Sequence, residues 1–157
     1  MSITVTIGTE VFEYPTAGES PGWGEDATDS FVALTEQLNL LSNINDILET
    51  SFSISNNVSS LTTISQLAFN TLTVRSAEID FSVYRKTDTQ EVSESGTITV
   101  TYKSIAGSWT LTVLSGGDDT GVEFNITDAG QFQYTSSDLT GTSYVGILKF
   151  RAKTLQS

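Results

Sequence analysis

Residues 77–86 read AEIDFSVYRK, residues 96–103 read GTITVTYK and residues 108–114 read SWTLTVL. Apolar and polar side chains alternate in all three. Phe81, Val83 and Ile79 share one face of the first, Ile98 and Val100 one face of the second, and Trp109, Leu111 and Val113 one face of the third. A period of two places successive side chains on opposite faces of a strand, so each segment has one face for a core and one for water. Working outward, the same logic predicts strands at Ser51–Ser55, Gln66–Val74, Gly121–Ile126, Gln131–Thr135 and Val145–Leu155, the last burying Leu148 and Phe150. Turn chemistry separates them: TDTQEVSES, the tight turn Ala106–Ser108, the acidic tip SGGDDTG, and DAGQ at Asp128–Gln131, where Gly130 can take a positive φ. Eight short strands at this spacing predict a mainly β chain, an antiparallel β-sandwich of jelly-roll or Ig-like type, over residues 51–157.

Residues 1–50 read differently. Ile3, Val5 and Ile7 alternate with threonines, which predicts a short N-terminal strand. Val11–Trp23 holds both prolines, Pro15 and Pro21, with Gly18 and Gly22. Proline lacks a backbone donor, so this stretch is expected to be an extended arm or loop without ladder pairing. Phe12, Tyr14, Pro15 and Trp23 are its candidate docking residues, either anchoring a neighbouring molecule or folding back onto their own domain. Residues 27–49 then predict one α-helix, with acids in the first turns where the helix dipole favours them. Phe31, Leu34, Leu38, Leu41, Asn45 and Leu48 fall at alternating a and d positions of a heptad. Such a stripe suits a short bundle between identical chains, in which a single a-position Asn fixes register. The same stripe, widened by Val32, Leu40, Ile44 and Ile47, could instead pack onto the chain's own sheet.

Composition narrows the function. The 157 residues include no Cys and no His, which excludes Ser–His and Cys–His catalysis, disulfides and the usual zinc and copper sites. No cofactor is implied. The net charge is −12, and no Lys or Arg precedes Arg75, so residues 1–74 carry nine acids and no base. That balance argues against nucleic acid as a partner, because phosphate binding needs cations. No apolar run reaches the roughly 18 residues of a membrane span, and MSITVTIGTE is unlike a Sec-type leader, so neither a membrane nor secretion is expected.

Few residues are left to carry chemistry. Asp118, Asp119 and Glu123 could offer oxygens to Ca²⁺, but without an EF-hand pattern they read as a solvated hairpin tip. A paired-carboxylate glycosidase needs only two acids, yet the acids here fall on an arm, a helix and turns. We therefore expect no enzymatic activity. Trp109, Tyr102, Tyr134 and Tyr144 could line a sugar-binding face, although strict alternation makes Trp109 a core residue. The sequons at Asn57 and Asn125 carry no weight without a leader.

Several stretches together carry a family likeness: the arm FEYPTAGESPGWGEDAT (12–28), the linker INDILETSFSISNNVS (44–59), VRSAEIDFSVYR (74–85), SESGTITVTY (93–102), GVEFNITDAGQFQYTS (121–136) and GILKFRAKTL (146–155). Over nearly its full length the chain resembles small virion structural proteins of tailed phages. The resemblance implies a symmetric homo-oligomer, a trimer by expectation, made in the host cytoplasm and placed on the particle surface. Its partner would be the major capsid protein or another virion protein. Capsid decoration (cement) is the leading expectation; a tail- or head-fibre adhesin binding a host surface glycan, or a carbohydrate-binding module, is the alternative. The likeness brings no catalytic residues with it.

Overall fold

The computed structural model describes residues 3–7, 10–14, 29–34 and 45–156. The chain divides into two compact units, Met1–Ile44 and Asn45–Ser157.

In the first unit, β1 (Ile3–Ile7) pairs antiparallel with β2 (Glu10–Tyr14). The pairing corrects the expected ladder-free arm. Phe12 lies opposite Val5 and Tyr14 opposite Ile3, so the described start of the arm, ahead of Pro15, forms a hairpin with β1. A proline cannot donate to the ladder, and the residues ahead of it had no such restriction. Helix α1 covers residues 29–34 of the described chain. The predicted helix does not run to residue 49: Asn45 lies in a turn, and Ile47 opens a strand. Here sheet pairing with the C-terminal strand overrides a local helical period, as tertiary context commonly does.

The second unit is a two-layer antiparallel sandwich. One sheet has the order β3 (Ile47–Ser53), β10 (Val145–Gln156), β5 (Val74–Lys86), β6 (Glu91–Lys103), β7 (Ser108–Gly117). The other has the order β4 (Val58–Ala68), β9 (Gln131–Ser136), β8 (Val122–Ile126). In the larger sheet β5, β6 and β7 are successive hairpin-linked strands, and β10 returns by a long connection to lie beside β5. This is the 4-1-2-3 order of a Greek key. Outside it the pairing is nested, with β3 against β10 and β4 against β9.

Alternation places the core as predicted except on β7, where Trp109 is buried but Val113, expected on the same inward face, is 40% exposed. On β5, Ala77, Ile79, Phe81 and Val83 are buried; on β10, Leu148, Phe150 and Ala152 are buried, while Lys149, Arg151 and Lys153 stay outside. Ile98, Val100 and Trp109 complete this layer, and Ile64, Leu67, Phe132 and Tyr134 come from the smaller sheet to meet it. The layers interlock through aromatic pairs, Phe81 with Phe124 at 5.2 Å and Phe52 with Tyr134 at 5.8 Å, both edge to face. Each fully buried Leu, Ile, Val or Phe contributes about 1.5–3 kcal/mol.

Several strand boundaries shift: β3 begins at Ile47, β6 begins at Glu91 and so takes EVSES out of the expected turn, and β7 runs on through Gly117. The predicted strand Gln66–Val74 straddles the end of β4 and the turn before β5, and β4 begins eight residues earlier, at Val58. Its eleven residues, VSSLTTISQLA, bury only Ile64 and Leu67. A strand with so little apolar alternation reads as a linker in sequence.

The DAGQ turn adopts its predicted geometry, with Gly130 at φ +87°. A Cβ at Gly130 would lie 2.1 Å from the Phe69 carbonyl oxygen, and Phe69 N donates to the Gly130 carbonyl at 3.0 Å. Gly130→Ala therefore combines an unfavourable φ with a backbone collision. We expect it to cost about 2–3 kcal/mol in chemical denaturation.

Candidate functional site

Antiparallel topology collects four connections at one end of the sandwich: residues 54–57, 87–90, 118–121 and 137–144. The opposite end holds Asn45 and Asp46, where the second unit begins. There Thr73 Oγ1 donates to Asn45 Oδ1 at 3.1 Å, and Asp46 Oδ1 accepts from Thr154 N at 2.7 Å and Thr154 Oγ1 at 2.9 Å. Within this unit, the four-loop end is thus the one remote from the chain's entry.

A single buried cation ties the loops together. Arg85 sits near the end of β5, on the inward face set by Phe81 and Val83, and has no exposed surface. Its guanidinium donates from Nε to Tyr144 Oη at 3.0 Å, from Nη2 to Asn56 Oδ1 at 2.7 Å and to the Ser137 carbonyl at 2.6 Å, and from Nη1 to the Thr120 carbonyl. Its carbon Cζ lies 5.5 Å from the centre of the Tyr144 ring. One planar, five-donor group therefore reaches three of the four loops, a task that suits the fixed fork of arginine. Sequence reasoning missed this residue. Only its place on the apolar face of AEIDFSVYRK pointed to it.

Smaller clasps complete the end. Asn56 donates to Asp138 Oδ1 and the Leu139 carbonyl, both at 3.0 Å, and accepts from Leu139 N at 2.9 Å. Thr120 Oγ1 donates to Glu94 Oε2 at 2.6 Å. Asp118 accepts from Ser93 N at 2.9 Å and Asp119 from Gly121 N at 2.8 Å, so one oxygen of each tip carboxylate caps a backbone amide. Among the described residues no three His, Cys, Asp or Glu side chains gather where a metal ion could be held.

Asp88 accepts from Thr142 N at 2.6 Å and from Thr142 Oγ1 at 2.8 Å. The Thr142 amide, and next its hydroxyl, hold the Asp88 carboxyl below its ordinary value. A carboxyl depressed on folding stabilises the fold above its unfolded pKa, about 3.9, and that stabilisation is lost as pH falls through the lower folded value. Hydrogen exchange at the Thr142 amide is therefore expected to lose protection as pH drops below about 4, a loss that Asp88→Asn should abolish.

Beside the clasped loops a groove of 590 Å³ runs along the smaller sheet, lined by polar groups that include Asn57, Ser59, Asp119, Glu123, Thr135 and Ser137. It contains no aromatic side chain. The four aromatics considered for a sugar platform lie elsewhere. Trp109 and Tyr134 are buried, Tyr144 accepts from Arg85, and Tyr102 packs on Trp109 at 5.2 Å between ring centres.

The residues proposed for assembly and docking separate. Phe31 and Leu34 lie in α1 with 70% and 45% exposure, whereas Ser30 and Ala33 are buried. Asn45 is in a turn and Leu48 is on β3, 84% exposed, so neither occupies a helical heptad position. Phe12 and Tyr14 are in β2. Leu38, Leu41, Pro15 and Trp23 lie outside the described residues.

No family model matches the chain, and no curated protein matches it. Among solved structures, the chain is similar to the Acinetobacter phage vB_ApiP_P1 tailspike protein, at 12% identity and a TM-score of 0.39. The match covers 69% of this chain and 21% of the tailspike chain.

Proposed function

We propose that this protein is a structural component of a tailed-phage particle, in which the first unit attaches and assembles and the sandwich projects. The observation that carries this reading is the division of labour within the sandwich. The chain enters at one end, and the far end presents four loops locked by Arg85 and its neighbours. A scaffold that fixes loops at its outer end suits recognition by a fibre-type adhesin. The polar groove beside them offers hydroxyl, amide and carboxylate groups to a glycan. Capsid decoration is the second reading, favoured by the charge of the first unit. Residues 1–44 hold Glu10, Glu13, Glu19, Glu25, Asp26, Asp29 and Glu36 without one base, a composition suited to docking on a basic lattice surface.

Electron microscopy of intact particles carrying a labelled copy separates the two. Signal at a fibre or tail tip supports the first reading and a regular capsid pattern the second. Unlabelled particles would sink both. Assembly through the N-terminal stripe has its own test. Leu38→Asp with Leu41→Asp should convert the oligomer to a smaller species in multi-angle light scattering, and unchanged mass would remove the stripe from the assembly.

A further inference from the structure

Four strands form sheet edges in the sandwich: β3 and β7 in the larger sheet, β4 and β8 in the smaller. An exposed edge is a row of unused backbone donors and acceptors, and proteins commonly blunt it with charge, proline, bulges or brevity. Three of the four edges are blunted. β3 carries Glu49, and its register against β10 shifts between Phe150 and Ala152. β4 is interrupted twice in its pairing with β9, and Gln66 takes a φ of +69°. β8 has five residues and includes Glu123.

Among the described residues, β7 has none of these protections. Its ten residues pair with β6 in unbroken register, from Lys103 opposite Ser108 to Glu94 opposite Gly117. Residues 104–117 contain neither charge nor proline. Leu114 is 77% exposed and Val113 40% exposed, and Thr110 and Thr112 stand on the same face as Leu114. We propose that β7 is an interaction edge whose partner is the β7 of a second copy, paired antiparallel about a two-fold axis so that two five-stranded sheets join.

Two observations select that occupant. Each chain carries −12, so copies can approach closely only where like charges are absent, and the uncharged run 104–117 provides such a border. The other edges cannot pair with β7 along its length: β3 and β4 are bulged and β8 is half as long. An antiparallel strand paired with itself is self-complementary, the geometry of a two-fold interface. The β7 contact is separate from the N-terminal stripe, and each can form without the other.

The absence of native cysteine makes the test direct. Single cysteines are placed in the full-length chain at Thr110, Thr112 and Leu114, with Leu61→Cys on the β4 edge as the exposed reference. Under mild oxidation, the β7 cysteine nearest the two-fold should form disulfide dimers at least tenfold faster than Leu61→Cys. The double variant Thr112→Lys/Leu114→Lys should halve the mass of the assembled species in sedimentation equilibrium while its far-UV spectrum stays that of the parent. Crosslinking at all three β7 positions no faster than at position 61, or an unchanged mass in a folded double-lysine variant, overturns the proposal.

Discussion

Replacing Arg85 by methionine lowers the thermal midpoint of the sandwich by roughly 10–20 °C, the equivalent of about 3–5 kcal/mol. The loss is not one of charge pairing, because the hydrogen-bond partners of Arg85 are a phenol, a side-chain amide and two backbone carbonyls. It is a loss of donors inside the fold. Asn56 Oδ1 keeps the Leu139 amide, and the Ser137 carbonyl keeps a long bond of 3.4 Å from Asn57. The buried Thr120 carbonyl and the hydroxyl of the half-buried Tyr144 lose the guanidinium bonds that hold them, and a buried group so stranded costs about 1–3 kcal/mol. Arg85→Lys should recover less than half of the deficit, since an ammonium on a flexible stem cannot present a planar fork to partners on three loops. Differential scanning calorimetry of the two variants checks both statements. A midpoint within about 3 °C of the parent for Arg85→Met would show that the clasp does not hold the end of the sandwich.

Phe132→Ala is expected to cost as much, by a different route. Phe132 is fully buried on β9, the middle strand of the smaller sheet, and meets Phe69 edge to face at 6.0 Å. Truncation removes the ring's transfer free energy and leaves a void that the two sheets cannot collapse into, about 3–5 kcal/mol in all. Urea denaturation should show a lower midpoint with an unchanged slope, the sign of lost stability without a change in the surface exposed. The half-buried Phe124 makes a useful comparison. It lies on β8, an outer strand of the same sheet, and Phe124→Ala should cost clearly less.

The alternating segments Ala77–Lys86, Gly96–Lys103 and Ser108–Leu111 carried their strands and inward faces openly, because one side of each faces water and the other does not. β4 and the first half of β6 were hidden for the complementary reason. Their stretches SSLTTISQ and EVSES are mostly polar and lack apolar–polar alternation, with Ile64 the one buried side chain among them, and pairing with neighbouring strands more than apolar burial makes them strands. The region 45–49 shows the limit of local periodicity. Leu48 sits at a heptad position in the sequence and on a sheet edge in the fold, decided by β10, which lies about a hundred residues downstream. The loop clasp was illegible because its partners are Asn56, Thr120, Ser137 and Tyr144, residue types that sequence assigns to loops without saying which loops meet.

The nested pairing of β3 with β10 and β4 with β9 also constrains how the chain comes to be folded. β5, β6 and β7 are joined by short hairpins and can zip locally, whereas β3 waits for a partner that begins at Val145. On a ribosome, which delivers the N-terminal side first, the meander therefore stands with two open flanks, β5 and β7, until β10 emerges. β10 then fills the β5 flank on both of its own sides at once, taking β3 and β5 together. β10 is the keystone of the sheet, and a nascent chain stalled before Val145 would be an aggregation hazard, not a smaller folded protein.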